Sequence, residues 1–473
     1  MIALQAHAAC LLAACIAVPA SAAPGPKTGA ADAVRAIIDR EFPSLFDLYR
    51  HFHAHPELSL CEEKSSGRLA DELREAGCEV TTGVGGHGVV ALLRNGEGPT
   101  VLVRADMDAL PVKEQTGLPY ASTVVTRDDS GREVPVMHAC GHDVHMTALV
   151  GTARLFKQLR ERWRGTLVFI GQPAEERVAG ARAMLADGLF TRFPRPEYCL
   201  ALHVGTEAPA GSVVATAGFA MAGSDAVEIT IRGVGGHGAF PHKARDPIVL
   251  AAQMILSLQT IVSREIPPGD AAVVTVGSIH GGTKANIIPD EVKLQLTLRS
   301  YTDEVRRKIL DAIGRITRGL AAAAGVPEDR MPVVQLGPQS TGPTYNDPEL
   351  TRRLAAAWAS WLGNDRVVAG KPVMGAEDFG EYGRTEHKIP ICMFWIGALA
   401  PEAFRAEGPA PPSSLHSPQF APVPEPTIKT GITAMAAAIL ELMAAGPLEA
   451  TSRIPNLSPM GASERPGPLD LSQ

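Results

Sequence analysis

Thr100-Val101-Leu102-Val103-Arg104-Ala105-Asp106-Met107-Asp108 opens as an apolar run and closes on two carboxylates. Two further stretches have the same form. Leu167-Val168-Phe169-Ile170 leads into Gln172-Pro173-Ala174-Glu175-Glu176, and Cys199-Leu200-Ala201-Leu202 leads into His203. Short apolar runs bounded by polar residues read as buried strands. In open α/β sheets ligands bind beyond the carboxyl ends of the strands, so these acids and this histidine stand where chemistry belongs. Around them the apolar spacing turns helical. Val34, Ile37, Ile38, Leu45 and Leu48 mark a helix over 32–53, which Pro43 is expected to break or kink. A second helix covers 63–76 and stops at Gly77. Others are expected at 145–160, with Asp143 as N-cap, and at 179–187. Strands at 88–93, 100–106, 167–171 and 198–203 alternate with them, which argues a largely parallel sheet covered by helices.

The pattern then changes. Residues 226–232 alternate strictly, a helix covers 247–263, and strands follow at 272–279 and 292–299. A helix at 303–323 and a strand at 331–336 complete a β-α-β-β-α-β order of ferredoxin-like type. The α/β pattern resumes with 347–361, 391–396 and 426–445. The expected organisation is an α/β catalytic domain in two parts, 32–212 and 329–445, interrupted by an inserted α+β domain at 213–328. Residues 446–473, rich in Pro, Ser and Gly, read as a disordered tail.

Residues 1–23 are apolar and end in Ala20-Ser21-Ala22-Ala23, the form of a signal-peptidase site, although no Lys or Arg precedes Lys27. The expectation is an exported, periplasmic protein. Leu12-Ala13-Ala14-Cys15 supplies the alternative of a lipid anchor at Cys15. No later segment has the ~18 unbroken apolar residues of a membrane span. Cleavage after Ala22 removes two of seven cysteines, and the remaining five are scattered, which is not a disulfide framework. A net charge of −7 without a basic patch argues against nucleic acid.

Two segments match GxGxxG, at 83–88 and 233–238, but the first runs into a strand and the second into Pro241, so neither opens a helix as a dinucleotide site requires. No Gly-x-Ser-x-Gly elbow occurs. The densest chemistry is Met137-His138-Ala139-Cys140-Gly141-His142-Asp143-Val144-His145. Thiolate and imidazole are the ligands a borderline-soft divalent metal prefers, and Cys-Gly-His is too tight a spacing for one helical face. It reads as a turn folded around an ion; an inert buried cysteine among surface histidines is the competing reading. The Glu175-Glu176 pair alone is equally compatible with a solvated acidic turn.

Nine motifs in order resemble peptidase family M20, in the subgroup of hippurate hydrolases, N-acyl-amino-acid amidohydrolases and auxin-conjugate hydrolases. They are His53-x-His55-Pro56-Glu57-Leu58, the 104–111 and 137–143 stretches, Gln172-Pro173-Ala174-Glu175-Glu176, His203-Val204-Gly205, the 235–242 stretch, Asn286-Ile287-Ile288-Pro289-Asp290, Gly375-Ala376-Glu377-Asp378-Phe379 and Leu415-His416-Ser417-Pro418. The resemblance implies two divalent ions, Mn²⁺ or Zn²⁺ with Co²⁺ or Ni²⁺ as alternatives, held by Cys140, His142, Glu176, His203 and His416. It implies Glu175 as general base and Asp108 as the group orienting a ligand from behind. It further implies an inserted domain acting as lid and dimerisation domain, with His237 stabilising the oxyanion, often across a dimer interface, and Asn286 and Arg299 binding substrate. For Arg299, at a strand end, a salt bridge is the competing reading. His87, His138, His145 and His242 read as structural or solvent-facing, and Glu377 and Asp378 receive no role. The segment at 125–135 reads as a hairpin near the cleft mouth.

The expected activity is metal-dependent hydrolysis of the amide bond of small-molecule N-acyl amino acids, by an enzyme expected to form a homodimer through the inserted domain. The alternatives are an exopeptidase or dipeptidase of the wider family, and a catalytically silent ligand-binding protein on the same scaffold.

Overall fold

The computed structural model describes residues 26–404 and 414–444; the expected signal peptide, Cys15 and the tail at 446–473 lie outside them. In chain order the elements that matter are α1 (Pro26–Ala54), α2 (Glu63–Glu75), β1 (Glu79–Val84), β2 (Gly88–Asn95), β3 (Thr100–Asp106), α3 (His142–Gln158), β4 (Gly165–Gln172), α4 (Gly180–Ala186), β5 (Tyr198–Pro209) and β6 (Val213–Ala215). There follow β7 (Gly223–Arg232), α5 (Pro247–Thr260), β8 (Ala272–His280), β9 (Glu291–Ser300), α6 (Asp303–Ala323) and β10 (Val333–Thr341). The chain returns through α7 (Pro348–Leu362), β11 (Val367–Ala369), β12 (Ile391–Leu399) and α8 (Pro424–Met443).

The larger sheet has eight strands in the order β1-β2-β4-β3-β5-β12-β6-β11. It is mixed rather than largely parallel: β1, β2 and β4 pair antiparallel, as do β12 and β6, while β4-β3-β5-β12 forms a parallel centre. Strand alternation divides the central side chains between two apolar layers. Val101, Val103, Leu167 and Phe169 pack with α1, α2, α3, α7 and α8 on one face. Leu102, Val168 and Ile170 pack with Met184, Phe379 and Tyr382 on the other. Burial on both faces is what the unbroken apolar runs encode.

α1 runs through Pro43 without a break. Its apolar stripe of Val34, Ile38, Leu45, Leu48 and Phe52 is buried in the main core, and that packing outweighs the ~3 kcal/mol cost of an internal proline. α2 ends as expected: Gly77 sits at φ 84 and its N–H donates to the Arg74 carbonyl.

The smaller sheet has the order β8-β9-β7-β10, all antiparallel, with α5 and α6 on one face. With its strands numbered within the unit this is 2-3-1-4, the interleaving of a split βαβ pair expected for a ferredoxin-like unit. Its limits differ from 213–328. β6 belongs to the larger sheet, paired with β11 and β12, and β10 extends the smaller sheet to Thr341. The unit therefore spans β7 to β10, 223–341. The two connections between the units lie side by side, with residues 218–221 paired antiparallel to 344–346.

Candidate active site

The metal-type side chains come from four places around the carboxyl ends of the central strands. Cys140 and His142 bracket Gly141, which sits at φ 78 as the N-cap of α3; a Cβ there would lie 2.4 Å from Val204 Cγ2, so only glycine fits. This corrects the expected helix start. α3 begins at His142, and Asp143 lies inside it, buried against His53 Nδ1 at 2.7 Å. Glu175 and Glu176 follow β4, and His203 lies within β5. His416, at φ 66, is drawn in by its own N–H, which donates to the Ala139 carbonyl at 2.8 Å.

These groups converge. Cys140 Sγ is 3.6 Å from His203 Nε2. His142 Nε2 is 4.0 Å from Glu176 Oε1 and 3.6 Å from Asp106 Oδ2. His416 Nε2 is 3.5 Å from the same Glu176 oxygen. His142 Nδ1 donates to the Asp108 backbone carbonyl at 2.7 Å, which turns Nε2 inward. Asp108 Oδ2 accepts the Ser59 hydroxyl at 2.6 Å and the Glu176 N–H at 2.9 Å, so Asp108 orients two of the proposed ligands from behind. His145 spends both nitrogens, Nδ1 donating to Asp106 at 2.5 Å and Nε2 accepting the Val204 N–H at 2.9 Å; it is structural. His138 is also buried, His87 is half-buried and His242 is exposed.

His142 Nε2, Glu176 Oε1 and Asp108 Oδ1 are buried without a hydrogen-bond partner. Orphaned acceptors gathered beside a thiol and two imidazoles fit a cation. The electrostatics agree. Burial, then His145, holds His203 well below the usual imidazole range, so its ring is neutral, the form that can ligate a cation. Burial opposes charge on His142, but Asp106 and Asp108 raise it to about 10; these carboxylates would equally favour a bound cation in place of that proton. Burial and the neighbouring Glu176 push the Cys140 thiol up, a tendency a bound cation reverses. Glu175 is raised well above the carboxylate range by burial, then by Glu377 and Glu176.

The centre opens into a cleft of about 930 Å³ between the two units. One wall carries Cys140, Glu175, Glu176, His203, Trp395 and His416; the other is the smaller sheet, with Ser224, Leu296, Arg299 and Gln339. Arg299 does not form the salt bridge that competed with a binding role. Its guanidinium donates to Ser224 Oγ and to the Leu298 carbonyl, while the nearby Asp225 is taken by Arg306 in two bonds of 2.7 Å. His237 and Asn286 are brought beside one another, Gly238 N–H donating to the Asn286 carbonyl at 2.8 Å, but both are exposed and neither lines the cleft of its own chain. The 125–135 hairpin forms, from Val125–Arg127 and Glu133–Pro135, and its Asp129 pairs at 2.5 Å with the cleft residue Arg177.

The Arg104 network is absent from the sequence reading. The buried guanidinium bonds Asp106 at 2.6 Å, Glu377 at 2.8 Å, Asp378 at 3.3 Å and Gln172 at 3.0 Å. Gln172 in turn donates to Asp378 at 2.6 Å. Glu377 thereby stands in the cleft wall, close to Glu175.

Comparison with known proteins agrees with this geometry. Residues 102–441 match the model of peptidase family M20/M25/M40, and the chain belongs to that family. It is 36% identical over 365 residues to an N-acetylcysteine deacetylase of Bacillus subtilis, covering 76% of this chain and 89% of that one. It is 36% identical over 357 residues to thermostable carboxypeptidase 1 of Saccharolobus solfataricus, covering 75% and 85%. Among solved structures, the YXEP protein of Bacillus subtilis, described as a dinuclear metal-binding peptidase of family M20, superposes with a TM-score of 0.67 at 29% identity, covering 87% of this chain and 99% of that one.

Proposed function

We infer that the protein hydrolyses the amide bond joining an acyl group to an amino acid. The observation that carries this reading is the convergence of five ligand-type side chains on orphaned buried atoms, facing Arg299 across a cleft. Cys140, His142, Glu176, His203 and His416 would hold two divalent ions, which supply Lewis acidity to a scissile carbonyl and acidify water. Glu175, raised in proton affinity and standing beside them, takes the proton of the attacking water and returns it to the departing amine. Arg299, free of any carboxylate partner among the described residues, binds the free carboxylate of the amino acid. Trp395, whose ring lies 4.8 Å from that of His203, gives the acyl group an apolar wall beside the centre. Asp108 holds His142 and Glu176 in place.

The protein acts as a homodimer through the inserted unit in this reading, the partner supplying His237 and Asn286 to the cleft. Support comes from the exposed Phe240, Ile248, Val249, Leu256, Ile279 and Ile287, all on that unit. Helix 247–265 is apolar and long enough to cross a membrane by composition, but its inner face packs in the smaller unit's core. The apolar amino-terminal stretch supports export to the periplasm.

The carboxypeptidase relative favours a second reading, since release of a carboxyl-terminal residue from a peptide breaks the same kind of bond. One experiment separates them. Chelator-dialysed protein is reloaded with Mn²⁺, Zn²⁺, Co²⁺, Ni²⁺ or Mg²⁺ and offered N-acetyl, N-benzoyl and indole-acetyl amino acids alongside peptides of the same terminal residue. We expect chelation to abolish turnover, a softer ion to restore it better than Mg²⁺, and N-acyl amino acids to be preferred. Faster turnover of the peptides selects the carboxypeptidase reading. Full activity in protein shown metal-free by elemental analysis refutes both.

A further inference from the structure

Glu62 precedes α2 and is 0% exposed. Its ionic surroundings offer no compensation: burial, then the charge of Asp108, pushes its pKa up to about 7. A buried carboxyl without a counter-charge is costly. Its contact shows what it does. Oε1 accepts the backbone N–H of Ala174 at 2.8 Å, while Oε2 is buried and unbonded. Ala174 sits at φ 52, a left-handed conformation that a non-glycine residue holds only where its surroundings impose it. The next two residues are Glu175 and Glu176.

The turn is gripped on its other side as well, where the Glu176 N–H donates to Asp108 Oδ2 at 2.9 Å. The N–H groups on either side of Glu175 are thus each held by a buried carboxyl. Both grips trace to one segment, 57–62. Ser59 donates to Asp108 at 2.6 Å. The Glu57 carbonyl accepts the Ala109 N–H at 2.8 Å, and its carboxylate accepts the Ser65 N–H at 2.7 Å and the Lys64 N–H at 3.2 Å in the first turn of α2. This segment spans from the end of β3 to the turn after β4.

We propose that Glu62 is a positioning residue of the active site: through the Ala174 N–H it fixes the 174–176 turn, so that Glu175 faces the cleft and Glu176 faces the other ligands. The proposal rests on the reading of Glu175 as general base, and it is tested with and without that reading. Glu62→Gln keeps an oxygen for the Ala174 N–H; Glu62→Met removes it at similar volume. In the metal-loaded enzyme we expect Glu62→Met to lower kcat by about 10²-fold, the usual cost of misplacing a catalytic group by about an ångström. KM should change far less, and Glu62→Gln should stay close to wild type. Backbone amide exchange of the 172–178 peptide, read by mass spectrometry, should quicken in Glu62→Met and not in Glu62→Gln. Wild-type kcat with wild-type exchange in folded Glu62→Met overturns the proposal, as does a Glu62→Gln impaired equally with Glu62→Met. Where Glu62→Met fails to fold, Glu62→Asp decides: one methylene short of Ala174, it should lose kcat and protection, and wild-type values in both overturn the proposal. A wild-type enzyme that turns over no amide refutes the function instead, and the exchange measurement still judges Glu62.

Discussion

His53 ends α1 with both ring nitrogens against buried carboxylates, Nδ1 at 2.7 Å from Asp143 Oδ2 and Nε2 at 3.0 Å from Glu114 Oε1. Two acceptors require two protons, so the ring is a cation, and the tyrosine rings of Tyr49 and Tyr120 enclose it. Burial works against the charge, but the bonds from Asp143 and Glu114 prevail and raise the pKa from 6.5 to about 9. Because the folded value lies above the unfolded one, this stabilisation is complete below pH ~6.5 and is lost as pH rises through about 9. At about 1.4 kcal/mol per pH unit, the gap is worth roughly 3 kcal/mol. His53→Gln removes the titration. Urea denaturation of metal-saturated wild type and variant at pH 6 and pH 10 should show the wild-type advantage shrinking by roughly 3 kcal/mol. Other groups that titrate in alkali are common to both proteins and cancel in the difference. An advantage of equal size at both pH values refutes the doubly bonded cation.

Two further predictions concern the centre. Glu175→Gln should keep its metal content while turnover falls by about 10² to 10⁴, whereas Glu176→Gln should lose metal along with rate; elemental analysis beside steady-state kinetics checks the division, which equal metal loss in both would refute. His237→Ala should keep fold and metals but lose about 10² to 10³ in turnover, and mixing it with Glu175→Gln protein should regain activity through mixed dimers. Wild-type turnover in His237→Ala excludes a catalytic role, and impairment without rescue after verified subunit exchange excludes a shared site.

The strand ends were legible because a strand buried on both faces has to be written as an apolar run, and the polar residue that ends it marks the site. Glu175, Glu176 and His203 lie at or near such ends, whereas Cys140 and His142, at the start of α3, were legible from their ligand types and tight spacing, and His416 stood out only through its motif. What depends on distant partners could not be read locally. The start of α3 at His142 depends on Gly141 meeting Val204, and the burial of Asp143 on His53, 90 residues earlier. Pro43 looks like a helix breaker until the core packed along α1 is known. Val213–Ala215 is too short to show an alternating pattern, and its place in the larger sheet is decided by strands more than 150 residues later. Arg104 appeared only as one residue of a motif; that it ties Asp106 to Glu377 and Asp378 is a property of the folded sheet.

The strand order also bears on how the chain is made. β5 and β6 are neighbours in sequence, yet β12 lies between them in the sheet, pairing with residues 199–209 on one side and 213–214 on the other. On a ribosome the strand that carries His203 emerges early, and one edge of it stays open while the whole inserted unit and then β11 are synthesised. The unit between has an apolar core of its own, but the slot cannot close until residue 399 has left the exit tunnel. For that interval the nascent protein presents an unpaired apolar edge, the kind of surface that invites pairing with another chain. Truncation before β12 leaves that slot permanently open.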